Sequence, residues 1–129
     1  MIEPVWITRE DCLAYHESLL ERFGGPSGLR DESLLDAALH RPKHLFAYGK
    51  PSLFEMAASY AHGIVKNHPF LDGNKRAGFI AAALFIETNG FRFQASEEEV
   101  VLETLALAAG ESTEEAYAAW LERNALCSS

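Results

Sequence analysis

Cysteine is scarce in this chain. The two present, Cys12 and Cys127, lie near opposite ends, and neither belongs to a ligand-spaced cluster. A disulfide-framed secreted fold and a thiolate metal site are both poor fits. Two ordinary thiols of a reducing compartment are expected, with a single bridge left open. Long apolar runs are missing as well: the longest, Phe79–Ile86, is eight residues, against roughly 20 for a membrane-spanning helix. The start, MIEPVWITRED, has neither a basic beginning nor an apolar h-region, so no secretory signal is read and a cytoplasmic protein without membrane attachment is expected. There is no HExxH and no other histidine–carboxylate cluster at ligand spacing, which leaves a metal hydrolase little support. Gly 9 and Pro 5 are too few for a disordered or fibrous chain. Basic residues are outnumbered, 11 Lys+Arg against 19 Asp+Glu for a formal −8. That balance excludes a surface built throughout to grip DNA or RNA, and no direct nucleic-acid binding is expected.

The chain is 129 residues long and 48% hydrophobic, enough for one core, so residues 1–129 are read as one domain. Charge is spread unevenly along it. Residues 1–40 carry 3 basic and 8 acidic side chains, 41–80 carry 6 and 2, and 81–129 carry 2 and 9. The middle third is an electropositive island in an acidic protein. It also holds three of the five histidines, His44, His62 and His68.

Helical periodicity dominates, and an all-α fold of five to six main helices is expected. Thr8 with Asp11 predicts a helix to about Phe23, with Leu13, Leu19, Leu20 and Phe23 inward. Asp31 predicts a short helix stopped by Pro42, followed by an irregular segment or short hairpin over 43–51. Ser52 and Glu55 form a capping-box pattern for a helix ending near Asn67, before His68-Pro69. The apolar helix 79–88, closed by Asn89-Gly90, is the expected central buried helix. Phe91–Phe93 reads as extended. Ser96/Glu99 and Ser112/Glu115 open two more helices, the first carrying Val100, Val101, Leu105 and Ala108. The second carries Ala116, Tyr117, Trp120 and Leu121. Trp6, Trp120, Tyr117 and Phe23 are expected in the core.

The segment from His68 to Arg76 is where chemistry concentrates. It joins the end of one helix to the start of the most apolar one, where unpaired N–H groups and the helix dipole favour an anion. Gly73 permits a tight turn beside a ligand. Asn74 can cap the helix or donate to a phosphate, and Lys75 and Arg76 add cationic donors. Asp72 suits Mg²⁺ shared with a di- or triphosphate, and His68 can take a proton from a hydroxyl. Each residue also has a structural reading: a hydrogen-bonded loop histidine, an Asp-Gly turn, a capping Asn, two solvated cations. Their coincidence within nine residues, in the net-basic third, favours an anion-binding catalytic loop.

His68-Pro-Phe-Leu-Asp-Gly-Asn-Lys-Arg76 resembles the signature of the Fic/Doc (Fido) superfamily. Lys75 makes it similar to the Doc branch, the death-on-curing toxins of bacterial toxin–antitoxin modules. The likeness extends upstream through Gly28-Leu-Arg-Asp-Glu-Ser-Leu-Leu-Asp-Ala-Ala-Leu-His-Arg-Pro42 and downstream to Asn89-Gly90. It implies a Fic-like helical domain with at most a short hairpin flap. It implies His68 as the base that deprotonates the target hydroxyl, Phe70 as the aromatic that anchors the loop, and Asp72 as the Mg²⁺ ligand. Phe70, Leu71, Gly73, Asn74, Lys75 and Arg76 would form the nucleotide site, with Lys75 and Arg76 also counted as catalytic. Two departures from the nucleotidyl-transferring Fic pattern are Lys75, where that pattern has glycine, and Phe79, where it has a second arginine. They favour the Doc branch's chemistry, transfer of the γ-phosphate of ATP or another nucleoside triphosphate to a threonine of elongation factor Tu, over AMP transfer.

No Glu-Gly or Glu-Asn pair of the superfamily's self-inhibitory motif occurs. The resemblance therefore implies inhibition in trans, by an antitoxin whose C-terminal segment lies in a groove. The rival reading is a non-catalytic binding module, such as a corepressor acting with a DNA-binding antitoxin. His62 and Lys66, four apart on one helical face, have two readings, facing the site or a structural pair. Arg41, Lys43, His44 and Lys50 fall where the superfamily carries its flap.

Overall fold

The computed structural model describes residues 2–127. Six helices and one small two-stranded sheet make the chain all-α, as its periodicity predicts: α1 Arg9–Phe23, α2 Glu32–Tyr48, α3 Leu53–Asn67, α4 Asn74–Thr88, α5 Glu97–Ala109 and α6 Glu114–Arg123. Reciprocal capping boxes open α1 (Thr8 with Asp11) and α3 (Ser52 with Glu55), while Asp31 accepts from Ser33 and Leu34 N–H to open α2. Ser96 caps α5 through Glu99 N–H, but the Glu99 carboxylate reaches the Trp120 indole N–H at 3.3 Å instead of closing a box. The cap of α6 is Thr113, one residue beyond the expected Ser112.

The central helix is α3 and not the 79–88 helix. Ten of its fifteen residues are buried, and it packs against α2, α4, α5 and α6. Small residues let its neighbours approach closely: a Cβ on Gly78 of α4 would stand 2.9 Å from Val65 Cγ1. Helix α4 is apolar nearly all round for another reason. Phe79, Ile80 and Ala83 give one of its faces to a groove.

Pro42 does not stop α2. The helix runs on to Tyr48, so no irregular stretch or hairpin flap begins at residue 43. A proline removes one N–H and crowds the preceding turn. Tertiary packing holds α2 together across it: Pro42 is buried, and Phe46 meets Trp6 edge-on at 5.7 Å.

The extended segment expected at Phe91–Phe93 is strand β1. Its partner, β2 (Ala125–Cys127), was not predicted, and the two run antiparallel with Phe91 opposite Cys127 and Phe93 opposite Ala125. Trp120 and Tyr117 are core residues, while Trp6 is half-buried. Phe23 is exposed, contrary to its expected core placement, and Val101 and Leu105 of α5 and Ala116 of α6 are exposed as well. Thr104 and Leu107 take the core positions of α5. Cys12 is buried and Cys127 exposed, both as free thiols. Burial, followed by the nearby Asp11 carboxylate, pushes the Cys12 thiol up to about 12. No described helix is long and apolar enough to cross a membrane.

Candidate active site

Helix α3 ends where Pro69 forbids its continuation. His68 takes the capping position in the left-handed region, φ 51° and ψ 56°, and donates its N–H to Ile64 O at 3.1 Å. It is the one described residue other than glycine with positive φ, a conformation that costs a side-chain-bearing residue about 1 kcal/mol or more. A second segment holds it there. Arg30 donates from Nε to His68 O at 2.7 Å and from its terminal nitrogen to Asn67 O at 2.8 Å. The backbone joins in: Arg30 and Asp31 N–H both reach Pro69 O, and Leu71 N–H reaches Gly28 O.

Below the loop, Phe70 is buried and stacks on His16 of α1, with centroids 3.8 Å apart and planes at 10°. His16 is itself 2% exposed, and its Nε2 lies 2.6 Å from Asp72 O, which it reaches as a donor. Asn74 is buried and spans the loop: Oδ1 accepts from Phe70 N–H and Nδ2 donates to Phe70 O, both at 3.0 Å. Its side chain is fully engaged, which leaves its backbone N–H for an anion. Gly73, φ 78°, is the N-cap of α4 and offers no side chain to it. The other five helices are all capped by a side chain. The first N–H groups of α4, at Asn74, Lys75 and Arg76, therefore open toward solvent with the dipole behind them.

His68, Leu71, Asp72, Gly73, Asn74, Lys75 and Arg76 all line one groove, about 1370 Å³ in volume. Phe70 does not reach it and serves as the anchor beneath. The near end also receives Arg22 and Phe23 from the last turn of α1, with the Arg76 guanidinium carbon 4.2 Å from the Phe23 ring centroid. The Asp72 carboxylate faces the chain just after α1: a Cβ on Gly25, whose φ is +116°, would fall 2.6 Å from Oδ2. The groove is also lined by apolar Phe79, Ile80, Val101 and Leu105, with Glu87, Glu97 and Glu99 among its acidic groups.

His62 and Lys66 do not belong to this groove. Lys66 donates to Ala108 O at 3.1 Å, and His62 Nδ1 lies 3.7 Å from Glu114 Oε1. Arg41 is also committed elsewhere, in a two-pronged pair with Glu114 at 2.8 and 2.9 Å and a bond to Ser59 Oγ. Lys43, His44 and Lys50 lie on the last turns of α2 and just beyond, by the start of α3, one helix length away from His68.

Sequence reasoning missed Arg30, His16, Arg22 and Phe23. Arg30 sits in a stretch whose likeness to the family was visible, but its three-dimensional partner was not. His16 reads as one more residue on a helix face, and Phe23 as an ordinary core aromatic. Among the described residues no group of three or more His, Cys, Asp or Glu forms a ready-made metal cage. A lone carboxylate beside a phosphate cradle fits Mg²⁺ carried by a nucleotide, since that ion keeps waters and phosphate oxygens as most of its ligands.

A left-handed histidine and an uncapped helix start share a groove with Arg22, Lys75 and Arg76, an arrangement suited to an anion. The Fic/DOC family model matches residues 6–86, and the chain belongs to that family. It is similar to Protein kinase doc of Escherichia phage P1, 33% identical over 118 residues that cover 91% of this chain and 93% of the relative. It is also similar to Toxin Doc of Mycolicibacterium smegmatis, 38% identical over 93 residues, 70% of this chain and 68% of the relative.

Proposed function

We propose that the protein is a toxin that moves the γ-phosphate of ATP, or of another nucleoside triphosphate, to a protein hydroxyl, a threonine of elongation factor Tu being the expected acceptor. The observation that carries this reading is the uncapped start of α4 facing a groove that also presents His68, Asp72, Lys75 and Arg76. The backbone N–H groups of Asn74, Lys75 and Arg76 bind the phosphates, and the two cationic side chains offset charge as it spreads over the transferred group. Asp72 would hold the Mg²⁺, which adds charge neutralisation when bound. His68 takes the proton of the attacking hydroxyl; the new oxygen–phosphorus bond forms as the β–γ bridge breaks, and the nucleoside diphosphate leaves.

Two features support phosphoryl over AMP transfer. Lys75 occupies the turn, and Phe79 replaces a cation by an aromatic that meets Phe93 edge-on at 5.6 Å. The deciding experiment uses ATP labelled at either the γ- or the α-phosphate, with elongation factor Tu as acceptor. Label from the γ position is expected in the target; label from the α position alone would replace this reading by adenylyl transfer. His68→Ala should cut transfer by about 10²–10⁴-fold while nucleotide binding persists. Growth arrest undiminished by that substitution would favour the non-catalytic corepressor. The name of the M. smegmatis relative, Toxin Doc, supports a toxin role, and with it a cognate antitoxin. The apolar strip of the groove, Phe79, Ile80, Val101 and Leu105, supports the binding of that antitoxin's C-terminal segment.

A further inference from the structure

Arg22, Lys75 and Arg76 converge on the near end of the groove, and none is ion-paired among the described residues. Elsewhere guanidinium groups find carboxylates: Arg9 meets Glu32, and Arg41 meets Glu114. Arg22 and Arg76 come from different helices, yet both lie against one ring, with guanidinium carbons 5.4 and 4.2 Å from the Phe23 centroid. The helix dipole accounts for a cation in the last turn of α1. It does not account for that cation meeting a second one across an aromatic ring. Phe23 is 53% exposed, so its use is not core packing. What it does is bring two like charges to one ring through cation–π contact. Two guanidinium groups on one ring, neither paired with a carboxylate among the described residues, leave a concentration of positive potential that an anion relieves.

We infer that Arg22 and Arg76, seated on Phe23, form a two-guanidinium subsite for one phosphoryl group of a polyphosphate chain, next to the N–H cradle of α4. Arg22 is then a binding residue of the groove, supplied by α1. The turn of α4 that carries Phe79 supplies no cation, because that residue is spent on Phe93 and Trp120. The inference rests on the nucleotide reading only in taking the polyphosphate to be the tail of a triphosphate; a free inorganic polyphosphate has the same chemistry.

Calorimetric titration with Mg-ATP and, separately, inorganic tripolyphosphate tests it on wild type, Arg22→Ala, Arg22→Lys, Phe23→Leu and Arg92→Ala. Arg22→Ala should weaken both ligands about tenfold, the value of one charge-assisted contact. Arg22→Lys should recover part of that loss, and Phe23→Leu should lose part of it. Arg92→Ala, an exposed cation on β1 outside the groove, should bind as wild type does. An unchanged thermal midpoint for Arg22→Ala confirms that the fold is intact, as expected for a surface side chain. The subsite is overturned if wild type binds no tripolyphosphate, if Arg22→Ala binds it equally well, or if only Mg-ATP weakens. Transfer to the target, measured in parallel, separates the two ideas. Arg22-dependent binding without transfer keeps the subsite and removes the kinase, whereas transfer with Arg22-independent binding does the reverse.

Discussion

His68 is positioned by a residue thirty-eight places earlier in the chain. Its left-handed backbone turns its carbonyl, and that of Asn67, toward the Arg30 guanidinium, which satisfies carbonyls that the end of α3 leaves without partners. Arg30 touches no reacting atom in the proposed chemistry and acts through His68. Arg30→Ala should therefore lower kcat by about ten- to a hundredfold, the scale of a misplaced catalytic group, with little change in KM for ATP. Arg30→Lys, which cannot span both carbonyls, should recover only a small part. A kcat unchanged in Arg30→Ala would mean that Phe70 and the backbone bonds from Gly28, Arg30 and Asp31 suffice to hold the histidine.

Between elements, the main polar junction ties α2, α3 and α6 through Arg41, Ser59, His62 and Glu114. Burial, and then the neighbouring Arg41 guanidinium, holds the His62 imidazole below its ordinary 6.5, with Lys66 in the same direction and Glu114 and Glu115 opposing. The folded chain thus resists a proton that the unfolded chain accepts. As pH falls below about 6.5 the unfolded state gains protons first and stability declines. His62→Gln, measured by urea unfolding between pH 7 and pH 5, should show a flatter pH dependence than wild type; an unchanged slope would assign the acid sensitivity to other groups. Much at this scale was legible in the sequence. The caps at Thr8, Asp31 and Ser52 and the end of α3 at Pro69 are local chemistry, and each stands where the residues predicted it. The errors share one cause. Pro42 inside α2, Phe23 outside the core, β2 beside β1 and the centrality of α3 depend on which distant surface an element meets, and no local pattern encodes that. The loop from His68 to Arg76 was legible because its functional groups are contiguous. Arg30, His16 and Arg22 were not, because folding brings them to it.

Across the whole molecule, the groove has two chemically different parts. One part is cationic, with Arg22, Lys75 and Arg76, whereas another is an apolar strip on α4 and α5 beside Glu87, Glu97 and Glu99. Helix α5 exposes Val101, Leu102 and Leu105, at 54%, 67% and 46%. One bound segment running along the groove would cover that strip and end over the phosphates, joining partner binding to inhibition. Leu105 belongs to α5 and not to the His68–Arg76 loop, but the last turn of α5 meets Lys66 of α3, so transfer is measured alongside neutralisation. Leu105→Glu places a charge on the apolar strip, where an unpaired buried charge costs a partner several kcal/mol. In cells that also produce the cognate antitoxin, the wild-type protein should be neutralised, while Leu105→Glu should arrest growth and retain phosphate transfer in vitro. Neutralisation equal to wild type would place the antitoxin on another face. Loss of transfer together with loss of neutralisation would show that the two parts of the groove work as one site.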